Sequence, residues 1–323
     1  MKRAQFILAL AGLACAGSAP AQKAPARIAW VWPGSVSGQA TRLAAFRTGM
    51  AENGFVEGQH FQLDLRYADG RYERFPTLMA EALAGQPAIL MVVTIASVHA
   101  AQQATRTVPI IFVATNDPVG SGLIASYARP GGNTTGLASQ TEETGLKILQ
   151  LLRELLPQAK RVGALFNPGN PSGPKLVAAL QAAAAELNLK IESVEAATPQ
   201  GLDAAFVALL KLRPEALMML GDSMLFDNRE RIADFALKNR LPLLASNSET
   251  VVAGALGSYG VVQGALFRRS AIYVKKILAG TKPADIPVEQ PTQFHMAVNL
   301  KTAKALGLTI PPIWRLQVDE WIE

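Results

Sequence analysis

Short runs of uninterrupted apolar residues alternate with longer segments in which apolar residues recur every three or four positions. This rhythm predicts strands and helices in succession. Residues 27–32, apolar after Arg27, and residues 88–93 and 110–113, apolar throughout, have the character of strands covered on both faces. Phe61, Leu63, Leu65 and Tyr67 alternate with Gln62, Asp64 and Arg66, which predicts a strand nearer a sheet edge. The intervening helices carry Leu43, Phe46 and Met50, stopped at Asn53-Gly54, then Phe75, Leu78, Met79 and Leu83, then a third running from 94–97 to about Arg106. After 110–113 come a polar mouth (Thr115, Asn116, Asp117), a helix started by Pro118, and an Arg-Pro-Gly-Gly-Asn turn at 129–133 feeding another extended segment. Strands alternating with helices imply a parallel sheet with right-handed crossovers.

The same design then recurs. A helix from Glu142 bears Leu146, Leu149, Leu152 and Leu156; the strand at 161–166 repeats that at 27–32; and 167–172 stands where 33–38 stood. A helix with Leu176, Leu180 and Leu187, a strand at 189–194 and a helix with Leu202, Phe206 and Leu210 follow, then strands at 216–220 and 242–245 that open at Gly221-Asp222-Ser223 and at 246–249. The tail offers a strand at 255–259, a helix at 263–278 and a strand at 294–298, too little to fold alone. The expectation is an α/β protein of two lobes with parallel sheets, 27–138 plus 255–288 and 139–254 plus 289–323, joined by three passes of the chain.

The 323 residues, half of them hydrophobic and 17% charged, suffice for two such cores. The first 21 residues differ: Lys2 and Arg3, an apolar run over 6–16, then Ala19-Pro20-Ala21, the layout of a secretory signal peptide cut after Ala21. Cleavage there removes Cys15, the one cysteine, and leaves the mature chain none for disulfides or thiolate metal sites; acylation at Cys15 is the alternative. The formal charge of +6 becomes +4 without Lys2 and Arg3, and it is spread out, which disfavours nucleic acid.

Parallel sheets bind ligands beyond the carboxyl ends of their strands, so the loops that follow the strands carry the candidate site. Ser35 and Ser37, and Thr94 and Ser97, precede helices where hydroxyls and free N–H groups could hold a carboxylate, or merely cap. Asn116 and Asp117 share the first lobe's mouth, with Asp117 also an N-cap candidate before Pro118. Asp222 follows an apolar strand and a glycine and could accept a ligand ammonium or hydroxyl, with Glu249 a second acceptor for the ammonium; Asn167, Asn170, Asn247, Glu249 and Tyr259 would lie on the lobe opposing Ser35 and Thr94 or on the returning strand. Trp32 is an aromatic platform near a mouth, or a core residue. No G-x-G-x-x-G or Walker lysine motif occurs, so no cofactor is expected, and His60, His99 and His295 have no metal-ligand spacing. The absence of a G-x-S-x-G elbow argues against a hydrolase.

The segments GRYERFPTLMAEAL (70–83), VPIIFVATNDPVGSGLIASYARPGGNTTGL (108–137), LFRRSAIYVKKILAGTKPADIPVEQPTQF (266–294) and NLKTAKALGLTIPP (299–312) resemble the ABC transporter substrate-binding protein family that includes tryptophan- and tyrosine-type uptake proteins. The loop at 93–97 departs from the Gly- or Pro-bearing Ser/Thr loop common there. The resemblance implies the type I periplasmic binding protein fold, with two Rossmann-like lobes, three crossovers and ligand in the cleft. It further implies a monomeric, non-catalytic periplasmic receptor that delivers an amino-acid-like solute to an inner-membrane ABC permease. A receptor that signals to a sensor partner and an α/β hydrolase are the alternatives.

Overall fold

A computed structural model describes residues 24–323; the leader, its cleavage site and Cys15 lie outside them. The first lobe is a five-stranded sheet in the order β2-β1-β3-β4-β5, formed by β1 (Ala26–Trp32), β2 (Phe61–Tyr67), β3 (Ile89–Val92), β4 (Ile110–Asn116) and β5 (Thr134–Ser139), all parallel. Three helices connect the strands: α1 (Val36–Glu52), α2 (Phe75–Ala84) and α3 (Ile95–Ala104). Alternation along β1 divides its burial between two cores: Ile28, Trp30 and Trp32 face one cluster, Ala29 and Val31 the other. The edge position of β2 matches its half-polar pattern.

The second lobe repeats the order with β6 (Arg161–Phe166), β7 (Lys190–Glu195), β8 (Ala216–Met219), β9 (Leu243–Ala245) and β10 (Gly257–Val261), and adds β11 (Phe294–Asn299) and β12 (Glu320–Ile322) in the order β12-β11-β10-β9-β8-β6-β7. β11 is antiparallel to β10. Helices α4 (Thr141–Leu155), α5 (Ser172–Glu186), α6 (Leu202–Leu212), α7 (Ser223–Asp227), α8 (Arg229–Lys238) and α9 (Ser248–Val252) belong here. Helix α10 (Gln263–Leu278) then returns to pack on α1 and β4 of the first lobe, and α11 (Leu300–Leu306) lies in the second. The chain therefore passes between lobes after β5, after β10 and between residue 289, which bridges to Leu137, and β11.

Three expectations need correction. No helix starts at Pro118: the Asp117 carboxylate takes the N–H of Gly120 at 2.8 Å, and Gly122 at φ +71° turns the chain away after one turn. The segment 255–288, expected in the first lobe, begins with a strand of the second sheet, so the first lobe regains the chain only at α10. Leu146 and Leu210 stand at the edges of their helices, more than a third exposed, while Ile148, Leu151 and Leu155, and Leu209, take the core positions.

Helices α1 and α10 touch through Gly49, where an added Cβ would lie 2.1 Å from the Arg268 carbonyl oxygen. Gly49→Ala should therefore destabilise the first lobe by about 1–3 kcal/mol despite its helix propensity, read as a lower thermal midpoint; an unchanged midpoint would mean that the two helices are not so closely packed.

Candidate functional site

The carboxyl ends of both sheets face each other across a cleft of about 120 Å³, similar in scale to the roughly 150 Å³ cavity that admits a benzene ring. Both lobes line it: Thr94 and Asn116 from the first, Asn167, Asn170, Asp222 and Asn247 from the second. Its apolar floor includes Phe166, Leu176 and Leu220. Several helices begin at its edge, among them α3, α4, α5 and α10, so their free N–H groups present partial positive charge there.

Two contacts clamp the lobes together above the cleft. The Tyr72 hydroxyl donates to Asp222 Oδ2 at 2.7 Å, and the N–H of Ser35 donates to Asp227 Oδ2 at 2.6 Å. Burial, aided by the Asp222 charge, holds the Tyr72 phenol well above its ordinary range, so it remains a donor at any physiological pH. Burial also raises the Asp227 carboxyl, although the Ser35 hydrogen bonds oppose the shift. Beside these, the Arg42 guanidinium lies 4.1 Å over the Phe226 ring of the opposing lobe, a cation–π contact, and burial lowers its pKa.

Ser35 caps α1 by accepting from Gly38 N–H, and Ser37 lies 3.3 Å from it. The anion at this helix start is the protein's own Asp227, which occupies the position the sequence suggested for a ligand carboxylate. Thr94 and Ser97 form a reciprocal capping box; Thr94 lines the cleft, whereas Ser97 is fully buried with its hydroxyl engaged by the backbone of residues 93 and 94. Asp222 is the N-cap of α7, accepting from the N–H groups of Met224 and Leu225, so it has the structural role that its sequence context did not reveal. Glu249 lines a neighbouring cavity with His295 and Glu320. Tyr259 stacks on Phe294 at 5.8 Å and packs on the core. Trp32 is no platform: it is fully buried, stacked on Trp30 at 4.2 Å.

Sequence reasoning missed Arg42, Gln140, Thr141, Phe226 and Gln263. Gln140 and Gln263 stand at two of the three crossings between lobes, and that position was the signal available. Arg42 sits inside a helix and carried none. Among the described residues no cluster of His, Cys, Asp or Glu could hold a metal ion, and no helix is long and apolar enough to cross a membrane.

Residues 35–315 match the family model described as ABC transporter substrate binding protein. The chain belongs to this family. The substrate-binding protein is 25% identical over 263 residues, 81% of its length and 75% of the relative's, to a tyrosine-binding protein of Clostridioides difficile. In fold it is similar to an ABC domain in complex with L-Trp from Streptococcus pneumonia, with a TM-score of 0.83, 22% identity and coverage of 91% and 100% of the two chains. A ligand-free, open substrate-binding protein from Clostridium difficile gives a TM-score of 0.64 at 23% identity, covering 92% and 99%. The fold is the type I periplasmic binding protein fold, and family and fold alike are those of receptors for ABC transporters rather than enzymes.

Proposed function

We propose that the protein is exported by its first 21 residues, acts in the periplasm, and closes by hinge bending on one small, amino-acid-sized organic acid with an apolar, aromatic end, which it presents to an inner-membrane ABC permease. The observation that carries the reading is the cleft, polar at its rim, apolar at Phe166, and lined from both lobes. The three crossings between lobes supply a hinge. The higher similarity in shape to the tryptophan complex than to the open, ligand-free structure supports a closed arrangement of the lobes. The proposed ligand contacts are Thr94, Asn116, Asn167, Asn170 and Asn247, with Arg42 added and Asp222 acting chiefly through the other side chains it holds.

The test is a thermal-shift panel of amino acids and small carboxylates, with mass spectrometry of any ligand released from the purified protein. A binder at about 100 times its Kd adds roughly 2.7 kcal/mol of stability, and it should be recovered chemically unchanged. Absence of any shift, or conversion of the compound, would contradict the proposal. The amino terminus of the periplasmic protein should be Gln22.

A further inference from the structure

The hydrogen-bonding capacity left free in the cleft is lopsided. Four asparagines line it, and each has its side-chain oxygen held by a turn or cap, which fills both lone pairs at Asn247 and one of the two at Asn116, Asn167 and Asn170. Asn116 Oδ1 accepts from Thr141 N–H at 3.2 Å, Asn167 Oδ1 from Gly169 N–H at 2.9 Å, and Asn170 Oδ1 from Ser172 N–H at 3.1 Å. Asn247 Oδ1 accepts from both the N–H and the hydroxyl of Thr250, at 3.0 and 2.7 Å. Because a backbone N–H can only donate, these contacts also fix which end of each amide faces away.

The carboxylates are spent in the same way. Asp222 receives Met224 N–H, Leu225 N–H and Asn167 Nδ2 on one oxygen, and Tyr72 Oη and Asn170 Nδ2 on the other. Five donors meet about four lone-pair sites, which leaves no place for an ammonium. Asp117 turns to Gly120; Asp227 gives one oxygen to Ser35 and keeps the other buried without a partner, but it is not among the residues that line the cleft; and Glu249 belongs to the adjoining cavity of about 150 Å³.

Donors remain. Among the described residues the Nδ2 groups of Asn116 and Asn247 have no hydrogen-bond partner. Arg42 donates once, to Gln39 Oε1 at 2.9 Å, while its Nε is shielded from solvent and unpartnered. Glu249 and Asp227 favour its charge from a distance, yet burial outweighs them, and a shielded guanidinium with no carboxylate in contact remains costly, a cost that an anionic ligand offsets. The free amides of Gln140 and Gln263 can turn either end to a ligand, so they do not redress the balance.

Building on the cleft as the ligand site, we propose that it selects organic anions without an ammonium group, namely aryl-alkyl carboxylates, over the corresponding zwitterionic amino acids. The carboxylate meets Arg42 and the amides of Asn116 and Asn247, and the ring lies towards Phe166. The amino-acid-like size of the ligand is retained; its amino group is not.

Calorimetric titration of the processed full chain with three matched pairs tests this: 3-phenylpropionate and L-phenylalanine, 3-(4-hydroxyphenyl)propionate and L-tyrosine, indole-3-propionate and L-tryptophan. The carboxylate without the amino group should bind at least about tenfold more tightly in each pair, a preference of about 1.4 kcal/mol. Arg42→Met should abolish most of that affinity, and Arg42→Lys, which keeps charge but not the fork, should retain part of it; the Met variant, relieved of a shielded charge, should hold or raise the ligand-free thermal midpoint. If Arg42→Met does not fold, the Lys variant and the matched pairs still decide. Equal or tighter binding of the amino acids, or an affinity indifferent to Arg42, overturns the inference while leaving the cleft as a receptor site. Failure of all six compounds to bind overturns both.

Discussion

Asp222→Ala is expected to weaken ligand binding by about a hundredfold and to lower the thermal midpoint of the second lobe by several degrees. The first effect arises because Tyr72, Asn167 and Asn170 all donate to this carboxylate. Leaving such donors unsatisfied costs about 1–3 kcal/mol each, so even partial rehydration removes about 2.7 kcal/mol, a hundredfold in affinity. The second arises because Asp222 caps α7, a role worth about 1 kcal/mol. Asp222→Asn separates the two. Its amide oxygen can still accept from Met224 and Leu225, which should restore the midpoint, but its NH2 group would confront donors, so affinity should stay low. Calorimetry and thermal unfolding of both variants check this. Full affinity in Asp222→Asn would show that the clamp contributes nothing to capture.

Gly38→Ala is expected to weaken binding by roughly ten- to a hundredfold without harming the first lobe. Gly38 lies in the first turn of α1, where a Cβ would fall 1.6 Å from Asp227 Oδ1 of the opposing lobe. The lobes can then close only if Asp227 leaves the Ser35 N–H, and a hydrogen bond to a charged group contributes about 1.5–3 kcal/mol. Within the helix, alanine is better than glycine by about 1 kcal/mol, so the ligand-free thermal midpoint should hold or rise. Small-angle scattering should show the variant remaining extended at ligand concentrations that compact the wild type. Equal compaction and affinity would place Asp227 outside the closing contact.

The succession of elements was legible because buried strands such as those at 27–32 and 161–166 are apolar after their first arginine and their helices keep a clear stripe. Loops at the carboxyl ends of strands could likewise be named in advance, since a parallel sheet leaves ligands nowhere else to sit. Helix α8 escaped notice: only Ile232, Ala233 and Ala236 are buried in an otherwise charged segment, too small a stripe to read as periodicity. The roles of the site residues were harder, for two physical reasons. A serine, aspartate or asparagine before a helix is suited equally to capping and to ligand binding; in Ser97 and Asp222 the cap has taken the side chain, and in Asp117 a turn to Gly120 has. Arg42 and Phe226 enter the cleft only because the lobes approach each other, and no local pattern encodes a contact between residues so far apart in the chain. The loop at 33–38 illustrates both: the Ser35 N–H suits a ligand carboxylate, yet the anion it meets is Asp227.

The central claim is that one small organic acid is held between the two lobes. A crystal structure of the processed protein grown with indole-3-propionate tests it most directly. A single molecule should occupy the cleft, its carboxylate within hydrogen-bonding distance of Arg42 from the first lobe and of Asn247 from the second. Ligand density on the outer surface of one lobe, or an occupied cleft in which neither side chain touches the ligand, would contradict it.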